Sequence, residues 1–141
     1  MPDPDKVKDA CEACFDANKS DCSGFARAVG ARIGVPLSGL ANDIVDTISG
    51  GNGWVPLADG VEAAQAAEDG KFVVGGLKGS DQATPDLHGH VVVVVAGPLA
   101  HGAYPSAYWG RLDSVGRKDT TINWAWNTAD RDNVVYAEHA I

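Results

Sequence analysis

Hydrophobic residues recur at helical spacing in the first part of the chain. Apolar positions at i, i+3, i+4 and i+7 predict an amphipathic helix from Asp5 to about Ala17. A second helix is predicted after Asp21, where Phe25, Val29 and Ile33 form one apolar face and Gly34 follows the last of them. Ser20 and Asp21 are both suitable caps for its start.

Two further helices are predicted before any clear strand. Ser38 can cap a third helix, which Gly50 and the glycines after it end. The segment Asp59–Glu62 has the spacing of a capping box and opens an alanine-rich helix that Gly70 ends. Between these helices lies Trp54, which we expect to be a core aromatic residue rather than part of a cleft wall.

From residue 71 the pattern is that of strands. Phe72–Leu77 is a short apolar run, and Gly89–Pro98 contains five consecutive valines, as expected of a central strand covered on both faces. Further strands are predicted at Tyr104–Leu112, Ile122–Trp126 and Asn133–Ala137. Helices first and strands afterwards predict an α+β fold with an antiparallel sheet, formed by one domain over residues 1–141.

Charge and composition narrow the classes of function. The net charge is −8 and the pI is about 4.7, without a cluster of Lys and Arg, which argues against a nucleic-acid partner. The first five residues carry acids where a signal peptide carries bases, and the longest apolar run is too short to cross a membrane as a helix. We therefore expect synthesis in the cytoplasm, with any export by a route that does not use a cleaved signal.

Three cysteines are an odd number, so at least one is unpaired within the chain. Cys11 and Cys14 lie in the apolar stripe of the first predicted helix, where free cysteines are most often buried core residues. A local disulfide and a metal-binding or redox Cys-x-x-C pair are the alternatives. A zinc ribbon would need a second cysteine pair, which the chain does not contain.

Cys22 and His90 are the candidates for nucleophile and base. Cys22 falls at the start of the second helix, where free N–H groups and the helix dipole favour a thiolate. His90 begins the valine strand and shares a strand face with Val92 and Val94. If that face carries the Cys22 helix, the imidazole can meet the sulfur and remove its proton, as in papain-type amidases. The N–H of Cys22 is then one possible donor to the oxyanion.

Other interpretations of these residues remain open at this point. His88 and His90 are spaced as a possible metal pair, with His101 or His139 as a third ligand. A cysteine on the apolar face of a helix is also often inert. Spacing alone does not choose between catalysis, a metal site and an uninvolved cysteine and histidine.

Two motifs carry a resemblance to a known family. Asp21–Phe25, with the sequence Asp-Cys-Ser-Gly-Phe at a helix start, and the later Gly89–Val94 resemble the NlpC-type branch of the papain-like cysteine peptidases. More closely, the chain resembles the family 1 amidase effectors of bacterial type VI secretion. The similarity also runs through Val35–Pro36, Asn42–Asp46, Gly76–Gly79, Gly97–Leu99, Tyr104–Pro105 and Asp130–Asp132.

This resemblance implies a papain-like fold in which N-terminal helices pack on a central antiparallel sheet. It implies Cys22 as nucleophile and His90 as base, acting without cofactor or metal, with Asp21, Ser23 and Gly89 as possible substrate contacts. The implied substrate is peptidoglycan, cut between D-glutamate and meso-diaminopimelate in the periplasm of a competing bacterium after injection by the type VI apparatus. Producing cells of such systems carry a periplasmic immunity protein that blocks the site. Membrane insertion is not expected.

The residue that orients the imidazole is not fixed by the motifs. His101 is the nearest candidate by count, Ser106 and Asp113 lie further along, and a backbone carbonyl is another possibility. Relatives can tie the N-terminal helix to the C-terminus with a disulfide, but no C-terminal cysteine exists here. Alternative functions are an NlpC-like amidase that cuts another bond, a metal-binding module built on Cys11, Cys14 and histidines, and a binding domain with a relic site.

Overall fold

The computed structural model describes residues 3–112 and 114–141. The four helices of the described residues are α1 Pro4–Asn18, α2 Cys22–Ile33, α3 Ala41–Ser49 and α4 Gly60–Glu68. The strands are β1 Trp54–Leu57, β2 Phe72–Leu77, β3 His90–Val94, β4 Ser106–Trp109, β5 Arg117–Thr121 and β6 Val135–His139. They form one sheet in the order β1-β6-β2-β3-β4-β5, and every neighbouring pair is antiparallel. The prediction of an α+β fold with an antiparallel sheet is confirmed.

The sheet is covered on both faces. On one face α2 and α3 pack against alternate residues of the central strands, including Val91 and Val93, and α1 packs on α2. On the other face α4 packs with Val92, Val94 and the aromatic residues of the C-terminal half. Because all five valines are buried, the prediction of a central strand covered on both sides is confirmed.

The helix predictions hold except at the start of α3. Helix α2 begins at Cys22 after Asp21 and ends at Gly34, which has a φ of 86°. We expected Ser38 to cap α3, but the helix begins only at Ala41. The Asp43 carboxylate accepts a hydrogen bond from the Leu40 N–H at 3.0 Å. The acid in the first turn thus binds the N–H of the residue before the helix, which is a different group from the helix N–H groups that a serine cap would bind.

The strand predictions hold in the centre of the sheet and are wrong at its edges. Strands β1 and β5 were not predicted, and β3 and β4 are shorter than their hydrophobic patterns suggested. Ile122–Trp126 is not a strand, since β5 ends at Thr121 and a 3₁₀ turn follows over Ile122–Trp124. Ile122 and Trp126 are buried while Trp124 is 62% exposed, so the alternation of large residues does not follow one strand face.

The N-terminal cysteines are core residues in the structure. Cys11 and Cys14 are buried free thiols on the side of α1 that faces α2, and burial raises the pKa of Cys11 well above its usual value. Trp54 is buried in the same core, as we expected. No helix among the described residues combines the length and apolar character that would let it cross a membrane.

Candidate active site

A cavity of about 900 Å³ opens where the start of α2 meets the start of β3. Its other walls are the loop between β2 and β3 and the segment around the 3₁₀ turn after β5. The five residues that the resemblance implies as catalytic or substrate-contacting groups line this one cavity: Asp21, Cys22, Ser23, Gly89 and His90. The fold therefore brings together residues that are far apart in the chain.

Cys22 is the first residue of α2 and is 8% exposed. The Val91 N–H hydrogen-bonds to its sulfur, and this bond, together with the Ser23 and Cys22 N–H groups, lowers the pKa of the thiol as expected at a helix start. Burial has the larger effect and, with the nearby Asp21 carboxylate, leaves the pKa of Cys22 above its ordinary value. The expectation that the helix start yields a thiolate is wrong for the unliganded protein.

His90 lies at the start of β3 with its ring among tryptophans. The ring makes edge contacts with Trp126 at 5.1 Å and Trp109 at 6.5 Å between centroids. The residue keeps some exposure to the cavity, but Nε2 is buried and has no hydrogen-bond partner among the described residues. Burial, with a smaller contribution from the Arg111 charge, lowers the pKa of His90 to about 3. The imidazole is therefore neutral at physiological pH.

We expected Cys22 and His90 to meet if the helix that begins at Cys22 packed on the strand face that carries His90. The helix packs on the opposite face. Helix α2 packs against Val91, Val93 and Val95, not against the face of Val92 and Val94. His90 follows the latter face, because its ring contacts tryptophans that lie there. The two side chains reach the same cavity around the start of β3, where the Val91 N–H contacts the sulfur.

Asp21 and Ser23 are joined to each other beside the cysteine. The Ser23 hydroxyl donates to Asp21 Oδ1 at 3.0 Å, and the Arg27 guanidinium lies 4.0 Å from Asp21 Oδ2. The Asp21 side chain makes no capping hydrogen bond to α2, although the residue occupies the cap position. Both residues line the cavity, where Asp21 is partly exposed and Ser23 is 3% exposed.

Of the suggested orienting side chains, His101 and Ser106 lie away from the imidazole. His101 lies in an exposed turn after β3, with a φ of 52°, whereas His90 begins that strand. Five strand residues span roughly 13 Å at about 3.3 Å per residue, which separates the two rings. The Ser106 hydroxyl donates to the Pro98 carbonyl at 2.8 Å, near the same end of β3 as His101. Asp113 lies outside the described residues.

Two side chains that the sequence analysis did not single out fix the loop before His90. Asn42 of α3 donates to the Leu87 carbonyl and accepts from the Gly79 N–H, both at 3.0 Å. Asp130, which is buried, accepts from the Ala83 N–H at 2.7 Å. Both residues lie in stretches that carried the family resemblance, but their role depends on contacts that are distant in sequence.

Gly89 is required by this same packing. A Cβ at Gly89 would lie 2.6 Å from Asn42 Oδ1 and 2.7 Å from the Leu77 carbonyl oxygen. The resemblance implies Gly89 as a possible substrate contact, but its missing side chain does not leave a free space. The structure shows that this space is filled by the chain's own amide and carbonyl groups.

The mouth of the cavity is apolar. The large hydrophobic residues at its rim that are more than half exposed are Leu40, Leu87, Leu112 and Trp124. Arg117 stacks over the Trp124 ring at 5.5 Å. Contiguous exposed apolar residues of this kind mark surfaces that contact other molecules. Within the described ranges, no three His, Cys, Asp or Glu side chains lie close enough together to hold a metal ion.

Comparison with known proteins places the chain in a family. No protein-family model matches it. The chain is 36% identical to the peptidoglycan amidase Tse1 of Pseudomonas aeruginosa over 146 aligned residues, which cover 96% of this chain and 90% of that protein. The chain belongs to the Tse1 family of peptidoglycan amidases. This finding confirms the resemblance to amidase effectors that the two motifs indicated.

Proposed function

We propose that this protein is an antibacterial peptidoglycan amidase that works by Cys/His nucleophilic catalysis. The observation that carries the proposal is the convergence of Cys22 and His90 on one cavity, in a chain that shares 36% identity with a peptidoglycan amidase over nearly its whole length. The Val91 N–H supports it further, because it contacts the sulfur from the residue next to the histidine.

In the proposed reaction the Cys22 sulfur attacks the carbonyl carbon of the substrate amide while the thiol proton passes to the His90 imidazole. The imidazolium then gives this proton to the departing amine nitrogen as the C–N bond breaks. Water next attacks the thioester, with His90 as base, and releases the acid product and the free thiol. The N–H at the start of α2 stabilises the oxyanion formed in each step.

The bond and the route of delivery follow from the resemblance. We propose hydrolysis between D-glutamate and meso-diaminopimelate of the stem peptide, in the periplasm of a target cell reached by type VI secretion. A periplasmic immunity protein in the producing cell would cover the site. The exposed apolar rim of the cavity, with Trp124 at its edge, supports such a protein partner.

The test is mass spectrometry of purified muropeptides after incubation with the wild type and with Cys22→Ala. We expect new fragments that end at D-glutamate with the wild type alone, while Cys14→Ala, which also removes a buried thiol, retains activity. Cleavage at another position would replace the proposed bond and keep the amidase. Full activity in Cys22→Ala would overturn the nucleophile.

A second pair of variants tests the base. His90→Gln should lower kcat by several orders of magnitude, because a general base contributes about 10² to 10⁴ in rate and the nucleophile depends on it. His101→Asn is the matched control, since this exposed histidine has a positive φ that asparagine tolerates. Equal loss in the two variants would show that folding, not proton transfer, is affected.

A further inference from the structure

Three buried polar atoms around the cavity have no hydrogen-bond partner among the described residues: Nε2 of His90, Oδ1 of Asn123 and Nε1 of Trp126. Trp126 is 6% exposed, so its indole N–H is withdrawn from solvent. Native proteins pair almost all such groups, because an unpaired buried donor or acceptor is costly. Asn123 and Trp126 come from one short segment that lines the cavity, so this segment holds an unpaired buried acceptor and an unpaired buried donor beside it.

The side chains that line the cavity carry both signs of charge. Three acids line the cavity, and one oxygen of each accepts a hydrogen bond from the chain: Asp21 from the Ser23 hydroxyl, Asp86 from the Leu87 N–H and Asp130 from the Ala83 N–H. Arg111 is the only Lys or Arg among the described lining residues, and it forms no salt bridge within the described part of the chain.

Arg111 is held at this place by the backbone. The Arg111 N–H donates to the Lys19 carbonyl at 3.0 Å. The preceding Gly110 packs so closely that a Cβ there would lie 2.4 Å from the carbonyl oxygens of Asn18 and Asp21. The end of β4 is therefore anchored against the junction of α1 and α2, and the exposed guanidinium stays at the cavity beside His90.

We propose that Arg111, Asn123 and Trp126 form a binding subsite for an acidic residue of the substrate. In this subsite the Arg111 guanidinium and the Trp126 Nε1–H donate to the carboxylate, and Asn123 Oδ1 accepts an N–H of the same peptide unit. The inference rests on the proposed function. In the proposed substrate the group that fits is the free α-carboxylate of D-glutamate, because it belongs to the residue whose γ-carbonyl is attacked.

The experiment compares two muropeptides that differ in one group. One carries D-glutamate with a free α-carboxylate, and the other carries D-isoglutamine, in which this carboxylate is an amide. We measure kcat and KM on both for the wild type, Arg111→Gln, Arg111→Lys and Trp126→Phe, which removes the N–H and keeps an aromatic ring. Arg32→Gln is the control, since Arg32 is exposed at the other end of α2.

We expect the wild type to favour the carboxylate substrate and Arg111→Gln to lose about ten- to hundredfold in kcat/KM on it, the worth of one charge-assisted hydrogen bond. The loss should appear as a higher KM for the carboxylate substrate, while kcat/KM on the amide substrate stays nearly unchanged. The ratio of kcat/KM for the two substrates should therefore approach one in Arg111→Gln. Arg111→Lys should keep part of the preference, Trp126→Phe should reduce it, and Arg32→Gln should not alter it.

The outcomes separate this inference from the proposed function. Cleavage of both substrates with a preference that Arg111→Gln leaves unchanged would overturn the subsite and keep the amidase. Equal losses on both substrates in Arg111→Gln would also overturn it, because a general effect on the site does not depend on the carboxylate. Failure of the wild type to cut either substrate would overturn the proposed function itself.

Discussion

His90 links the stability of the fold to pH. Its pKa falls from 6.5, the value expected in an unfolded chain, to about 3 in the folded protein. As the pH decreases below 6.5 the unfolded chain binds a proton that the folded protein still excludes. The contribution of His90 to stability is therefore fully present above pH 6.5 and is lost progressively down to about pH 3.

The magnitude follows from these two values. Between pH 7.5 and pH 5.0 the difference in proton binding lowers the free energy of unfolding by about 2 kcal/mol, at 1.36 kcal/mol for each pKa unit. Because His90 retains some exposure to the cavity, this figure is an upper bound. Replacing the histidine with glutamine removes the titrating group. The free energy of unfolding of His90→Gln should therefore not show this decrease between pH 7.5 and pH 5.0.

The assay is urea denaturation followed by tryptophan fluorescence, at pH 7.5 and pH 5.0. We expect the wild type to lose up to about 2 kcal/mol more than His90→Gln over this interval. His101→Asn should behave as the wild type does, since His101 is exposed. If the wild type and His90→Gln lose the same stability, His90 is not buried as a neutral ring and our account of its environment is wrong.

Three shorter predictions test the supports of the site. Asn42→Ala should cost about 1–3 kcal/mol and speed amide exchange in residues 79–88, measured by mass spectrometry, because it removes two hydrogen bonds to that loop. Gly76→Ala should cost about 1–3 kcal/mol in urea denaturation, since a Cβ there would lie 2.7 Å from Val45 Cγ2, and unchanged stability would contradict this contact. Cys22 should react slowly with iodoacetamide at pH 7 and faster well above pH 9, while a rate that levels off below pH 7 would indicate a thiolate.

The helices and central strands could be predicted because their signals are local. The apolar face of α2 and its terminal glycine determine the helix within a few residues of sequence. The capping spacing at Asp59 likewise predicts the start of α4. In the structure Asp59 Oδ1 accepts a hydrogen bond from the Glu62 N–H at 3.0 Å. Five consecutive valines are typical of a strand that is buried on both faces, and all five are buried in the structure.

The edges of the sheet could not be predicted in this way. Strands β1 and β5 are the two edge strands, so each pairs with one neighbour only. The sequence of β5, Arg117–Thr121, is polar and mostly exposed, and β1 contains Pro56. Their strand character comes from the partners β4 and β6, which are known only once the chain is folded. The strand at Ile122–Trp126 was wrongly predicted for the same reason, because the position of the neighbouring edge strand β5 depends on its partner in the folded sheet.

In the candidate site, too, some residues have a local sequence signal and others are positioned only by contacts that form on folding. Cys22 and His90 carry a sequence motif and were found, whereas Asn42, Arg111 and Asn123 have no local signal. Their positions depend on contacts across the chain, such as the Asn42 bond to Leu87 and the backbone bond that anchors Arg111. A sequence motif therefore predicted the two candidate reacting groups, while the groups that shape the cavity became visible only in the fold.

The balance of burial and charge at the cavity bears on how the proposed reaction begins. Burial raises the pKa of Cys22 and lowers the pKa of His90, so both disfavour a thiolate–imidazolium pair in the unliganded protein. A neutral thiol and a neutral imidazole must then exchange the proton as the sulfur attacks, when the negative charge passes on to the carbonyl oxygen. The N–H groups at the start of α2 therefore stabilise the oxyanion of the transition state more than a resting thiolate. In the proposed mechanism the proton therefore leaves Cys22 only once a substrate is bound.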